Sequence, residues 1–137
     1  MKKELRFKNT DYYEYENVNP KNRYIGDCVI RAIARGLEQS WEQTVRELTE
    51  LGIKDGNVCN DKRNYEKYLS LKGWIKCDEP RKADNTKMTI EEFCKSHVVH
   101  KAVVHAGSHH VCAIINNKVH DTWNSSRETM HTYWVKR

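Results

Sequence analysis

No apolar run in this chain approaches the ~20 residues that cross a bilayer, so no membrane span is expected. The opening, "MKKELRFKNTDYY", is charged but lacks the apolar stretch of a secretory signal, which points to a cytoplasmic protein. With two prolines and six glycines, the chain is neither a linker nor a low-complexity tract. Phenylalanine occurs only twice, so four tryptophans and seven tyrosines must supply the aromatic part of any core. There is no CxxC pair. Cys28, Cys59, Cys77, Cys94 and Cys112 form an odd, irregular set, which argues against a disulfide framework and for free thiols. No pair among the seven histidines combines with cysteines at zinc-finger spacing. His105 and His109 would share a helix face, but they fall in strand-like sequence, and no metal or other cofactor is expected. Nor does one sign of charge dominate: the net charge is +5, with Lys and Arg mixed among Glu and Asp. That describes a solvated surface rather than a nucleic-acid footprint.

What remains is a chain of 137 residues, 38% hydrophobic and 31% charged, with room for one globular domain and a modest core. The first 20 residues read as an extended polar and aromatic arm ending at Asn19-Pro20. Ile30, Ile33, Ala34 and Leu37 then repeat at helical spacing from Asp27 onward. Ser40 with Gln43 forms a capping-box pattern, opening a second helix from Trp41 to Leu51 with Gly52 as its stop. A third helix is expected from about Asp61 to Leu71, and Thr89 with Glu92 caps a short fourth. After His97 the period changes. "VVHKAVVHA", "HVCAII", "KVHDTW" and "HTYWVK" are β-rich, and Asn116-Asn117 suits a two-residue hairpin because Asn tolerates positive φ. Helices followed by an antiparallel sheet make an α+β domain.

Two short stretches carry chemistry. In "NRYIGDCVIRAIA", residues 22 to 34, Asp27 is placed to cap a helix whose first turn holds Cys28. Backbone N–H groups and the helix dipole there favour a thiolate over a thiol. In "GSHHVCAIINNKVHDTW", residues 107 to 123, adjacent histidines open one strand and Asp121 closes the next. A histidine beside Cys28 would lower its pKa further, and a carboxylate on that histidine would orient the ring. Each residue alone reads as structure: a small core thiol, a strand histidine, a strand-end acid. Their combination, in this chain order, reads as a nucleophile, a base and an orienting group.

That arrangement resembles the papain-like cysteine peptidase superfamily, whose nucleophile starts the central helix while His and Asn or Asp come from the sheet. Asn22 lies six residues before Cys28, where papain-like enzymes carry a Gln that donates to the oxyanion hole. "HHVCAII" resembles the strand that begins with the catalytic histidine, and "DTW" resembles the segment that holds the orienting amide and a shielding tryptophan, here Trp123. More narrowly, "NPKNRYIGDCVIRAI" and "VHDTWNSS…YW" resemble small bacteriophage and prophage proteins. The resemblance implies a papain-like fold and a Cys28–His110–Asp121 triad. It also implies Asn22 in the oxyanion hole, with Asp27, His109 and Trp123 supporting. His110 is favoured over His109 because the family strand places the catalytic ring immediately before Val111; alternation along the strand does not choose between them. The implied activity is that of a peptidase, isopeptidase or amidase on a peptide or protein substrate, such as a bacterial host protein, in the host cytoplasm. The chain lacks papain's long second lobe, Asn replaces Gln at position 22, and His110 lies close to Asp121 in sequence, which demands a tight hairpin. Two other readings stand beside this one: a non-catalytic papain-like scaffold that binds a host protein, and a nucleic-acid-associated protein suggested by the +5 charge.

Overall fold

The computed structural model describes residues 7 to 136. Its elements are β1 (Tyr13–Tyr15), α1 (Cys28–Leu37), α2 (Trp41–Asp55), α3 (Lys62–Leu71), β2 (Trp74–Cys77), α4 (Ile90–Ser96), β3 (Lys101–Ala106), β4 (His110–Ile115), β5 (Lys118–Asp121) and β6 (Met130–Lys136). The strands form one six-stranded sheet in the order β1-β5-β4-β3-β6-β2. The domain is α+β, as the change of period implied.

Two strands lie outside the expected C-terminal block. The arm is not merely extended: its Tyr13–Tyr15 segment pairs parallel to β5, with Tyr15 opposite Asp121. The sheet is therefore mixed rather than purely antiparallel. At the other edge, "WIKC" pairs with β6. Four residues carry too little alternation to be seen without that partner.

Both faces of the sheet are covered, which explains why both faces of β4 are apolar. On one side Val29, Ile30 and Ile33 of α1, Leu48 of α2 and Leu69 of α3 pack against Val103, Val111, Ala113, Ile115 and Trp134. On the other, Ile90 and Phe93 of α4 meet Val104, Cys112, Ile114, Val119 and Met130.

Local signals set the element ends. Ser40 accepts from the Gln43 N–H at 3.0 Å, and Thr89 forms the full reciprocal box with Glu92. Gly52 does not stop α2, which runs on to Asp55 and ends at Gly56 with φ of 78°. Gly52 is small for another reason: a Cβ there would sit 2.3 Å from the Asn57 carbonyl oxygen. The β4–β5 hairpin turns on Asn116 and Asn117, with φ of 49° and 64°. Two successive left-handed residues give the twist that a two-residue connection needs.

Candidate active site

The hairpin register brings the distant residues together. Ala113 pairs with His120, so one step further Cys112 and Asp121 face each other. His110 then lies diagonally across from Asp121 on the same face, within reach of a long side chain. Its Nε2 meets Asp121 Oδ2 at 2.6 Å. Because His110 is the first residue of its strand, its ring spans the strand end. On its other side lies the Cys28 thiol at the start of α1, where the His110 ring and the Val111 N–H both favour its thiolate form.

The thiol is half-buried, and burial alone would raise its pKa. The hydrogen bonds from His110 and Val111, with the positive charges of His110 and Arg31, outweigh burial and leave it below the ordinary thiol value. Burial likewise opposes protonation of His110, but Asp121 and Cys28 raise its pKa to about 9. Asp121 is 1% exposed, which disfavours its charge. Its bonds from His110, Ser125 and Arg31 nevertheless hold its pKa below the usual carboxylate range. All three shifts act toward the charged forms: thiolate, imidazolium and carboxylate.

Every lone-pair direction of Asp121 is used. Oδ1 accepts from Arg31 Nη1 at 2.9 Å and from the Thr122 N–H at 2.7 Å. Oδ2 accepts from His110 and from the Ser125 hydroxyl, the latter at 2.7 Å. Four donors on one buried carboxylate fix its orientation and its charge. Trp123 lies with its ring centroid 4.8 Å from that of His110, covering the histidine from one side.

Asp27 occupies the N-cap position, yet its side chain makes no capping bond. Its carboxylate turns inward, accepting from Arg31 Nε at 2.8 Å, Trp41 Nε1 at 2.9 Å and Asn19 Nδ2 at 3.1 Å. This corrects the capping role expected of it, and the reason is chemical. With Asp27 drawn away, the first-turn N–H groups of α1 stay unclaimed by a cap and face the region of Cys28.

The remaining candidates separate clearly. His109 sits exposed in the turn before β4, whereas His110 is in the strand and in the hydrogen-bonded chain. Asn22 is exposed, at φ of 53° in the turn closed by its N–H to the Asn19 carbonyl at 2.9 Å. Its Oδ1 accepts from Asn17 Nδ2 at 3.4 Å, which leaves the amide Nδ2 as its donor end. All five cysteines are free thiols. Cys94 and Cys112 are buried and their thiols are pushed up, Cys94 to about 12, so neither is an accessible nucleophile. A cleft of about 500 Å³ adjoins the site, lined by Phe7, Tyr24, Ile25, Asp27, Arg31, Thr122 and Trp123. Phe7 of the N-terminal arm supplies part of its wall. A separate cleft of about 590 Å³ holds His105, His131 and Glu79 but no cysteine.

Arg31 and Ser125 are the site residues that motif reasoning missed. Arg31 had a signal: Asp27 and Arg31 are spaced i, i+4 on one helix, where opposite charges pair. Ser125 had none beyond following "DTWN", because its role depends on a turn that folds it back under Asp121.

His110, Cys112 and Asp121 also place one nitrogen, one sulfur and one oxygen within 4.8 Å of one another. The set suits a cation poorly. His110 and Asp121 are already in direct contact at 2.6 Å, and the Arg31 guanidinium lies on the same carboxylate and would repel a metal ion. Comparison with known proteins finds no matching family model, curated protein or solved structure. The functional reading therefore rests on the geometry.

Proposed function

We propose that the protein is a thiol-dependent hydrolase of papain-like arrangement, acting on an amide or ester carbonyl of a peptide or protein. The observation that carries this reading is the juxtaposition of the Cys28 thiol, its pKa lowered by His110, with a His110 ring bonded to a buried, fully hydrogen-bonded Asp121. A structural thiol needs no activating imidazole, and a structural histidine needs no buried carboxylate with four donors.

In the proposed reaction the Cys28 thiolate attacks the carbonyl carbon, and the π electrons move to oxygen. The Cys28 N–H and the Asn22 amide supply donors to that oxyanion, the latter by the resemblance described above. As the tetrahedral species collapses, the C–N bond breaks and His110 gives its proton to the departing amine. A water molecule then attacks the thioester while His110 takes its proton. The carboxylic acid leaves and Cys28 is regenerated. Asp121 holds the ring and its charge throughout and is not consumed. Peptidase, isopeptidase and amidase chemistry use the same groups, and the resemblance to phage proteins suggests a bacterial host protein as substrate.

The pH dependence tests the assignment. Amide hydrolysis requires the thiolate and the imidazolium together. Activity should rise as Cys28 loses its proton, below the ordinary thiol value of about 8.5. It should fall again as His110 loses its proton near 9. Alkylation by iodoacetamide needs only the thiolate, so it should rise on the same acidic limb and show no fall near 9. A hydrolysis profile with one rising limb at the ordinary thiol value would contradict the ion-pair assignment.

A further inference from the structure

Arg31 lies three residues after Cys28 on α1 and extends from that helix to the end of β5. Its Nε donates to Asp27 Oδ1 at 2.8 Å and its Nη1 to Asp121 Oδ1 at 2.9 Å. The Arg31 side chain is 11% exposed, and those of Asp27 and Asp121 are 3% and 1% exposed. One planar cation therefore joins the segment that carries the nucleophile to the strand that carries the orienting acid. Hydrophobic packing seats α1 on β4, and a two-pronged polar link adds a directional tie at the helix end.

Resting on the hydrolase reading above, we propose that Arg31 is the positioning residue of this site: its fork locks the α1 N-terminus to Asp121 and supplies the permanent positive charge beside the Cys28–His110–Asp121 chain. Asp27 is then the anchor for Arg31, and Trp41 and Asn19 hold Asp27 in turn. The alternative, an ordinary buried ion pair that only stabilises the fold, would not need to touch the orienting carboxylate. Here Arg31 and His110 share Asp121, one on each oxygen.

The charged and titratable groups around Arg31 come from each neighbouring element. They are Asp27 at its own helix start, Cys28 in the first turn, Tyr15 on β1, His110 on β4 and Asp121 on β5. One turn further along α1, Arg35 pairs with Glu16, which also receives His120. That second cluster is self-contained. Removing the Arg31 charge takes away a cation that favours the thiolate, so ionisation of Cys28 must move to higher pH. Lysine keeps the charge but presents its donors from one nitrogen, so it cannot reproduce the fixed fork that sends Nε to one carboxylate and Nη1 to the other.

The test uses the full chain and two probes. Iodoacetamide, with the modified cysteine mapped by mass spectrometry, reports the thiolate. p-Nitrophenyl acetate in single turnover reports acylation, with p-nitrophenolate leaving as the thioester forms. Arg31→Gln, shown folded by circular dichroism, is expected to shift the acidic limb of Cys28 alkylation upward by roughly one pH unit. Its acylation is expected to fall roughly 100-fold through misplacement of the reacting groups. Arg31→Lys is expected to keep the wild-type limb while losing about tenfold in acylation. An unshifted limb in Arg31→Gln would show Arg31 to be merely structural and overturn the proposal. If Arg31→Gln does not fold, Arg31→Lys decides alone: wild-type acylation in that variant overturns the proposal. An ordinary thiol limb in the wild type itself would instead sink the hydrolase reading, and this proposal with it, before any variant is compared.

Discussion

Cys28→Ala should abolish acylation by p-nitrophenyl acetate, a loss of at least about 1,000-fold, while the protein stays folded. The size of the loss follows from the absence of a substitute. Cys94 and Cys112 are buried with their thiols pushed up, and no histidine chain reaches Cys59 or Cys77 among the described residues. Removal of a nucleophile from a triad costs nearly as much as removal of the whole set, because its members act as a unit. The fold should survive because Cys28 lies at the helix start and only partly packs against the core. Its sulfur fills little volume there, and the His110–Asp121 pair persists without it. The expected change in unfolding free energy is within about 1 kcal/mol. Burst amplitude and urea unfolding of the same two samples check both halves. Retained burst amplitude would mean that another group is acylated.

Asp121→Ala should be damaging in both respects. This carboxylate serves two cations at once, so its removal leaves Arg31 and His110 facing each other in a nearly dry site. Breaking a buried ion pair from one side costs roughly 3 to 5 kcal/mol, because the remaining charge keeps its desolvation penalty. Acylation should fall on the order of 1,000-fold as the histidine loses its orientation and its counter-charge. Asp121→Asn should fall between wild type and Ala. An amide oxygen can still accept from His110 and orient its ring, which by itself would make the change mild. Arg31 makes it costlier here, since an amide oxygen can accept from the guanidinium but cannot balance its charge. The comparison is made on acylation rate and on urea midpoint for the three proteins. Wild-type stability in Asp121→Ala would show that Arg31 is satisfied by Asp27 alone.

The sequence revealed the catalytic candidates more readily than what holds them. Cys28, His110 and Asp121 were visible because each sits at an element end that local signals announce: a helix start after Asp27, a strand after a turn, and a hairpin closed by Asn116-Asn117. The hairpin made the short separation between His110 and Asp121 workable, since two residues of turn leave the strand ends side by side. Arg31 could be paired with Asp27 from spacing, but nothing local says that its other arm reaches a strand 90 residues away. The same limit hid β1 and β2. Three- and four-residue strands become strands only through the neighbours they pair with, and those pairings are long-range. Gly52 misled for a related reason. A glycine near an expected helix end reads as a stop, yet this one admits the Asn57 carbonyl against the helix. Local chemistry favours a cap at Asp27, but the tertiary partners Arg31, Trp41 and Asn19 outcompete the helix N–H groups for it.

The most direct measurement is competitive alkylation of the native protein at pH 5.5 with substoichiometric iodoacetamide, followed by peptide mapping of all five cysteines. An activated Cys28 carries a larger thiolate fraction than its neighbours at a pH where an ordinary thiol, with a pKa of about 8.5, is almost wholly protonated. The expected result is modification concentrated on Cys28 in the wild type, and strongly reduced there in His110→Ala. Slow labelling spread over the exposed thiols, unchanged by His110→Ala, would contradict the central claim that this chain carries an activated nucleophile.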